Sequence, residues 1–399
     1  MRVAVTGIGI VSALGRGCDA TLAALRNARS GIATIASIDP ALLNCRIGGE
    51  VPFDAGDARM RGHDRFTRFA LLAAEEAMAQ AGAIDADPDR FGVLLGTGLG
   101  GCETLDANYR RLYAEHARPV PMAIPMAMYN AAAAAVSARY GAKGMTFAVV
   151  SACASSAHAI GLAAQAIRAG QAEAMLAGGC DAPLTYGIIR AWEALRVLAA
   201  DNEHPEAACR PFSADRKGLV LAEGAAVLLL EPAERAARRG ARILGEIAGF
   251  GATSDAGHVT DPSAEGAAKA MTLALRDAGL AAADVGYVNA HGTGTRANDP
   301  AEAAAIRSVF GDAAPPVSST KSLHGHAMGA SGAIEIACSL LALRAGFLPP
   351  TINLDEPDPD CALDHVANAP REAHARAFLS NSFGFGGMNA SVAVKVAHD

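Results

Sequence analysis

The chain has 399 residues, 51% of them hydrophobic, and a formal charge of −7 from 34 Lys and Arg against 41 Asp and Glu. That length buries a large core, as two domains or one duplicated one. The acidic balance disfavours generic nucleic-acid binding, and no apolar run reaches the ~18 residues that span a bilayer, so neither nucleic acid nor membrane is expected as a partner. The eight cysteines are scattered without C-x-x-C spacing, which suits reduced thiols in the cytoplasm and argues against a zinc site.

In chain order, "MRVAVTGIGIVSALG" reads as a buried strand and a glycine turn, without the cleavage pattern of a signal peptide. Short β-branched or apolar runs predict strands over 2–6, 91–95, 146–150, 174–177, 225–230, 286–289 and 391–396. Ala-rich stretches predict helices over 67–81, 156–169, 264–278, 300–310 and 332–343. This alternation argues for an α/β fold with buried sheets. Ahead of the first helix, "ARMRGHDRFTR" concentrates Arg59, Arg61, Arg65 and Arg68. That cluster is either a solvated helix start or a docking patch for an acidic partner. "GTGLGG" (96–101) satisfies G-x-G-x-x-G, but no acidic residue follows at the spacing that would hold a ribose, so no nucleotide site is predicted.

Two segments share one grammar of strand, small-residue turn and helix: "FAVVSACASSAHAIGLAAQAIRAG" and "PPVSSTKSLHGHAMGASGAIEIACSLLALRAG". They suggest an internal duplication whose halves, 1–240 and 241–399, meet near residue 240. "EPAERAARRGARILGE" (231–246) reads as a solvated helix bridging them.

A buried cysteine is as a rule a small hydrophobe. Cys153 differs because it opens a predicted helix, where unpaired N–H groups and the macrodipole favour a thiolate. Its small neighbours also leave room for a substrate. A thiolate nucleophile needs a base or a cation. "YVNAHGTGTRANDP" offers His291, and "SSTKSLHGHAMGASGAIE" offers Lys321 and His326, each in a glycine-rich turn after a strand. "SNSFGFGGMNAS" sets glycines around Phe383 and Phe385; it reads as a tight turn that can also place a backbone N–H near a reacting carbonyl.

With these motifs quoted, the sequence resembles the β-ketoacyl-[acyl carrier protein] synthases of the Cys-His-His class. "VAVTGIGIVSALG", "SACASSAHAIG", "MLAGGCDAP", "CRPFSADRKGLVLAEGAAVLLLE", "NAHGTGT", "STKSLHGHAMGASGAIE" and "NSFGFGGMN" carry the match in order along essentially the whole chain. The resemblance implies the thiolase fold: two duplicated βαβαβαββ halves in a five-layered αβαβα sandwich, usually dimeric. It implies that Cys153 takes an acyl chain from acyl carrier protein as a thioester. It implies that His291 and His326 stabilise the enolate formed when malonyl-ACP loses carbon dioxide, with Lys321 tuning the field around His326. Which histidine acts as base stays open on the sequence. The backbone N–H groups of Cys153 and Phe385 would form the oxyanion hole, Phe385 would gate, and Gly384, Gly386 and Gly387 would free that loop. Thr293 and Thr295 would bind phosphopantetheine. Glu335, Asn289, Ser380 and Asn381 match a buried polar cluster that in some relatives holds a monovalent cation. Beyond that ion, no metal or cofactor is expected except the phosphopantetheine of the carrier.

Two related readings differ from this one. A thiolase would use a second cysteine in the late glycine-rich loop, and "FGFGGMN" has none. A non-catalytic chain-length-factor subunit would lack the nucleophile. The chain could instead be the active half of a heterodimer with such a subunit, or a homodimer. Position 324 is His where relatives carry a small polar residue, and 388 is Met where Thr is common. Glu103 and Thr104 fall where the family's acyl tunnel ends; either Glu103 points outward to an arginine across a dimer, or the pocket is polar, which favours a polyketide or polyene pathway, or a short or functionalised acyl chain, over bulk fatty-acid elongation.

Overall fold

The computed structural model describes residues 1–52 and 60–398; Arg59 of the expected docking patch lies outside them. Ten strands build the frame. In the first half they are β1 (Val3–Ser12), β2 (Phe91–Gly96), β3 (Thr146–Val149), β4 (Ala174–Asp181) and β5 (Gly224–Pro232). In the second they are β6 (Gly245–Ser254), β7 (Tyr287–Asn289), β8 (Val317–Ser318), β9 (Ala377–Gly384) and β10 (Met388–Val396). The hydrogen-bonded order is β8-β7-β9-β10-β6-β1-β5-β4-β2-β3. Counted within each half, both sheets follow the sequence first, fifth, fourth, second, third. The two fifth strands are antiparallel to their neighbours, and the remaining contacts are parallel in both halves.

The principal helices repeat as well. In the first half α1 (Arg65–Ala81), α2 (Cys102–Tyr113), α3 (Ala131–Tyr140), α4 (Ser155–Arg168) and α5 (Tyr186–Leu195) link the strands. In the second, α6 (Ala264–Ala278), α7 (Asn298–Phe310), α8 (Lys321–His324) and α9 (Ser331–Arg344) do so. α1 covers β1 and β5 from outside, and α6 covers β6 and β10. α4 and α9 touch strands of both halves and each other, so they form the central layer. Nearly every residue of α9 is buried, as a helix sandwiched between two sheets requires. The layers therefore stack αβαβα.

Glycine makes the outer packing close. A Cβ on Gly7 or Gly9 would fall 2.0 or 1.8 Å from carbonyl oxygens of α1, and one on Gly249 or Gly251 would fall 2.2 or 2.1 Å from those of α6. "TGIGI" and "AGFGA" are thus one device used twice, with the helix backbone lying directly on the strand.

Two expectations change. The solvated helix over 231–246 shortens to Ala233–Arg238. Glu231 belongs to β5, is fully buried, and accepts from Thr6 Oγ1 (2.6 Å) and the Arg239 guanidinium. Strands β6 and β9 were not predicted, because their glycines and serines dilute the apolar signal.

Candidate active site

Cys153 and His326 occupy equivalent places, each between the third strand of its half and the central-layer helix that follows. Cys153 lies two residues ahead of α4, and Ala152 before it adopts φ +50°, a strained conformation for a residue with a Cβ. That turn points the thiol at the other half. Cys153 Sγ and His326 Nε2 are 3.1 Å apart, and His326 Nδ1 meets Ser331 Oγ at 2.9 Å. The His291 ring stands edge-on to His326, centroids 5.4 Å apart. The three donor atoms of Cys153, His291 and His326 lie within 4.8 Å of one another.

Lys321 opens α8 and is fully buried. Its Nζ donates to the His291 carbonyl (2.6 Å), faces His291 Nδ1 at 3.3 Å and pairs with Glu335 Oε1. Its direct partner is His291, although its charge reaches both rings. Burial together with Lys321 holds both histidines well below their ordinary pKa, so both are neutral at pH 7.

The thiol also departs from expectation. Burial pushes Cys153 up to about 12, against the opposing pull of Lys321 and of the Phe385 N–H that bonds the sulfur. Cys153 is 5% exposed, so desolvation outweighs the helix terminus. The resting site therefore holds a neutral thiol against a neutral imidazole.

The β9–β10 turn closes the site. A Cβ on Gly384 would meet Ser151 O at 2.9 Å and Cys153 N at 3.1 Å, so only glycine lets the turn lie on the nucleophile. Gly386 and Gly387 follow with φ +84° and +73°. Phe383 is buried beside His291. Phe385 is 38% exposed and stacks on Trp192, centroids 5.7 Å apart.

A cavity of about 270 Å³ opens onto this centre. Cys153, His291, His326, Phe383, Gly384 and Phe385 form its inner end, and Thr293 and Thr295, with hydroxyls 2.9 Å apart, line its wall. No second cysteine lines it among the described residues. Beneath the site, Asn289 Oδ1, Glu335 Oε2 and Ser380 Oγ are buried with no hydrogen-bond partner. Asn381 is committed: its amide donates to Glu302 and its carbonyl accepts from Ser391. Glu335 is raised to about 7, by burial first.

Glu103 and Thr104 do not line the cavity. They sit in the first turn of α2, where Thr104 N donates to Asp64 Oδ2 (2.7 Å) and Glu103 lies in the field of Arg65 and Arg68. A carboxylate placed there faces the helix-start arginines, so Glu103 and Thr104 do not make the cavity polar, contrary to expectation. Arg65 is likewise turned inward. It forks onto buried Glu223 (2.8 and 2.5 Å) and lies over the Phe69 ring. Arg68 donates to His63 O, and Arg61 is exposed.

Sequence reasoning passed over three buried carboxylates. Glu302 accepts from the backbone N–H of His291 (2.8 Å) and Gly292 (2.7 Å), and Asp299 accepts from those of Phe212 and Gly294. Together they set the His291 loop. Their signal was "NDPAE", two acids three residues apart just after that loop. Asp181, raised to about 6, accepts from Thr97 Oγ1 and from the N–H groups of Gly98, Leu99 and Gly329, tying the tip of β2 to the turn after His326.

His324 is fully buried, with Nε2 3.1 Å from Thr320 Oγ1 and Nδ1 unpartnered. Burial and Lys321 lower it to about 3. Its unfolded value is ~6.5, so the unfolded chain binds the extra proton below that pH, and stability falls as pH drops from 6.5 towards 3. At pH 5 the cost is about 2 kcal/mol. His324→Thr should therefore lose about 2 kcal/mol less than the wild type between pH 7 and pH 5, read from urea midpoints. Its condensation rate should change little, because His324 does not line the cavity.

Fold and site together define a thiolase-type condensing centre, a cysteine with two neutral histidines under a glycine-phenylalanine turn. Residues 1–236 match the model of the β-ketoacyl synthase N-terminal domain, and 244–355 that of its C-terminal domain. The chain belongs to the β-ketoacyl synthase family. It is 45% identical over 403 residues to Nodulation protein E of Rhizobium sp. (strain N33), covering 99% of each chain. It is 42% identical over 410 residues to 3-oxoacyl-[acyl-carrier-protein] synthase 2 of Coxiella burnetii, covering 100% of this chain and 99% of the relative. Among solved structures, the ishigamide ketosynthase/chain length factor superposes with a TM-score of 0.94 at 34% identity over 99% of both chains. All eight cysteines are free and buried, and no helix among the described residues is long and apolar enough to cross a membrane.

Proposed function

We propose that the protein is a β-ketoacyl-[acyl-carrier-protein] synthase. It joins an acyl chain held on Cys153 to malonyl-ACP, releasing carbon dioxide and 3-oxoacyl-ACP. The observation that carries this is the 3.1 Å contact of Cys153 Sγ with His326 Nε2, with the Phe385 N–H on the same sulfur, at the end of a cavity.

A free thiolate is scarce in this site, so the proton leaves as the bond forms. His326 Nε2 takes it while Sγ attacks the acyl thioester, and returns it to the departing pantetheine sulfur. The oxyanion sits against the N–H groups of Cys153 and Phe385, a pair in which each donor is worth ~2.7–4 kcal/mol of transition-state stabilisation. Lysine can only donate, so Lys321 makes His291 Nδ1 an acceptor and leaves the ring proton on Nε2. His291 is therefore a fixed donor for the enolate that malonyl-ACP generates. The enolate carbon attacks the Cys153 thioester and the sulfur leaves, taking a proton through His326 that is replaced from solvent, because loss of carbon dioxide from the malonyl carboxylate consumes one proton.

Thr293 and Thr295 are placed for the phosphopantetheine amides. The three orphan oxygens fit an oxygen-ligated monovalent cation held by Glu335, Asn289 and Ser380, which would balance charge and take no part in a step. Exposed Phe147 lies in β3, an edge strand, and exposed Val150 directly follows it. They support pairing with a second subunit of this fold, a like chain or a chain-length-factor-like one. Free thiols and the carrier-bound substrates fit a cytoplasmic enzyme. Arg61 and Arg68 remain as carrier-docking candidates.

The test is incubation with a panel of acyl-ACPs, long saturated against short and unsaturated, followed by intact mass and peptide mapping. A thioester on Cys153 and 3-oxoacyl-ACP after malonyl-ACP addition are expected. No acylation by any carrier would overturn the reading.

A further inference from the structure

The two histidines differ in what stands behind them. Lys321 Nζ faces His291 Nδ1 at 3.3 Å, and an ammonium has no acceptor, so that ring keeps one tautomer. Behind His326 Nδ1 is the Ser331 hydroxyl at 2.9 Å, buried at the first position of α9. A hydroxyl can accept from Nδ1–H, or rotate and donate to a bare Nδ1. Which nitrogen of a histidine carries the proton is set by the partner of the other one.

We propose that Ser331 is a positioning residue that switches the tautomer of His326 between the two half-reactions. The proposal rests on the condensing role argued above. During loading, Ser331 accepts from Nδ1–H and Nε2 is bare. The Cys153 proton moves to Nε2, the sulfur–acyl bond forms, the acyl–pantetheine bond breaks, and the proton leaves on the pantetheine thiol. In the acyl-enzyme there is no thiol proton to receive. Nε2 takes a proton from water in the cavity and Nδ1 passes its own to Ser331 Oγ, whose hydroxyl proton returns to solvent, so no net charge moves; Ser331 then donates to Nδ1, the ring proton resides on Nε2, and His326 joins His291 as a second N–H donor to the enolate oxygen. One side chain serves as base and then as donor because its support is ambivalent; a backbone carbonyl or N–H in that place would lock it.

The site has room for this division. His326 is fully buried, so bulk water does not set its tautomer. Glu335, which could otherwise bias a nearby ring, is paired with Lys321 on the His291 side.

The test separates the half-reactions in single turnover. Loading is the rate of Cys153 thioester formation from acyl-ACP by intact mass. Condensation is the rate of 3-oxoacyl-ACP formation when isolated acyl-enzyme meets malonyl-ACP. Ser331→Ala removes the acceptor, and an unsupported imidazole favours the Nε2–H form. Loading should therefore fall about 10-fold or more while condensation stays within about 3-fold. Ser331→Asp supplies only an acceptor, which favours a bare Nε2, so condensation should fall about 10-fold and loading be retained. Ser331→Thr, which keeps the hydroxyl, should restore both. Equal losses in both halves for Ser331→Ala, or no loss in either, would overturn the switch, and that variant decides the matter if Ser331→Asp does not fold. A wild-type chain that never acylates would instead defeat the reading of the reaction.

Discussion

Cys153→Ala will abolish acyl-enzyme formation and condensation, by ~10⁴-fold or more, while leaving the fold in place. The sulfur is the only atom lost. Cys153 belongs to a small apolar cluster that includes Leu219, Leu221 and Met328, so the cavity left is that of one atom, costing about 1 kcal/mol. The other cysteines cannot substitute. Cys102 donates to Ala182 O (3.0 Å), Cys180 lies inside β4, and burial raises both thiols above their ordinary value without a histidine at hand. Intact mass after incubation with acyl-ACP, with far-UV circular dichroism as the folding control, checks this. Acylation mapped to Cys102 or Cys180 in the wild type would refute the assignment.

His326→Ala and His291→Ala will both cripple turnover, and they will do so at different steps. His326 touches the sulfur, so its loss slows loading as well as condensation, each by ~10²-fold or more. His291 meets Lys321 rather than the thiol, and its proton is fixed on the nitrogen facing the cavity. His291→Ala should leave loading within a few fold and reduce condensation by ~10²–10³-fold, the scale for removing one preorganised donor. Stopped single-turnover assays of each step make the comparison. Equal slowing of loading by both substitutions would show that the division of labour is wrong. The same measurement answers what the sequence left open, which histidine serves as base.

Much of this was legible in one dimension. Cys153, His291, Lys321, His326 and the Phe385 turn stand in short, small-residue motifs after strands, and the structure brings Cys153, His291, His326 and the Phe385 turn to one cavity with Lys321 buried behind His291. The duplication was visible in two strand-turn-helix segments, and in hindsight also in "TGIGI" and "AGFGA". What misled was context. A helix N-terminus predicts a lowered thiol, but burial decides, and burial is not written in a motif. Arg65 reads as surface charge in "DRFTR", yet Glu223, 158 residues on, draws it inside. Glu103 reads as a pocket carboxylate until the starts of α1 and α2 are seen together. Carboxylates that act on backbone N–H groups, such as Glu302 and Asp181, leave almost no local signature, because their partners are any residues that happen to turn there.

The reactive pair is also a seam. Cys153 arrives on the first half and His326 on the second, and each half carries its own five strands and outer helix. Activity is therefore a coincidence detector: it reports that the two halves, which share a central helix layer and a short β1–β6 pairing, are in register. Slippage along the α4–α9 contact would break the short β1–β6 pairing, leave the strands within each half hydrogen-bonded, and silence the enzyme. Sub-global opening of this kind takes less free energy than complete unfolding. In rising denaturant the catalytic signal would fade while the helical signal still stood, and the gap between the two curves would measure how firmly one copy of the ancient-looking repeat holds the other.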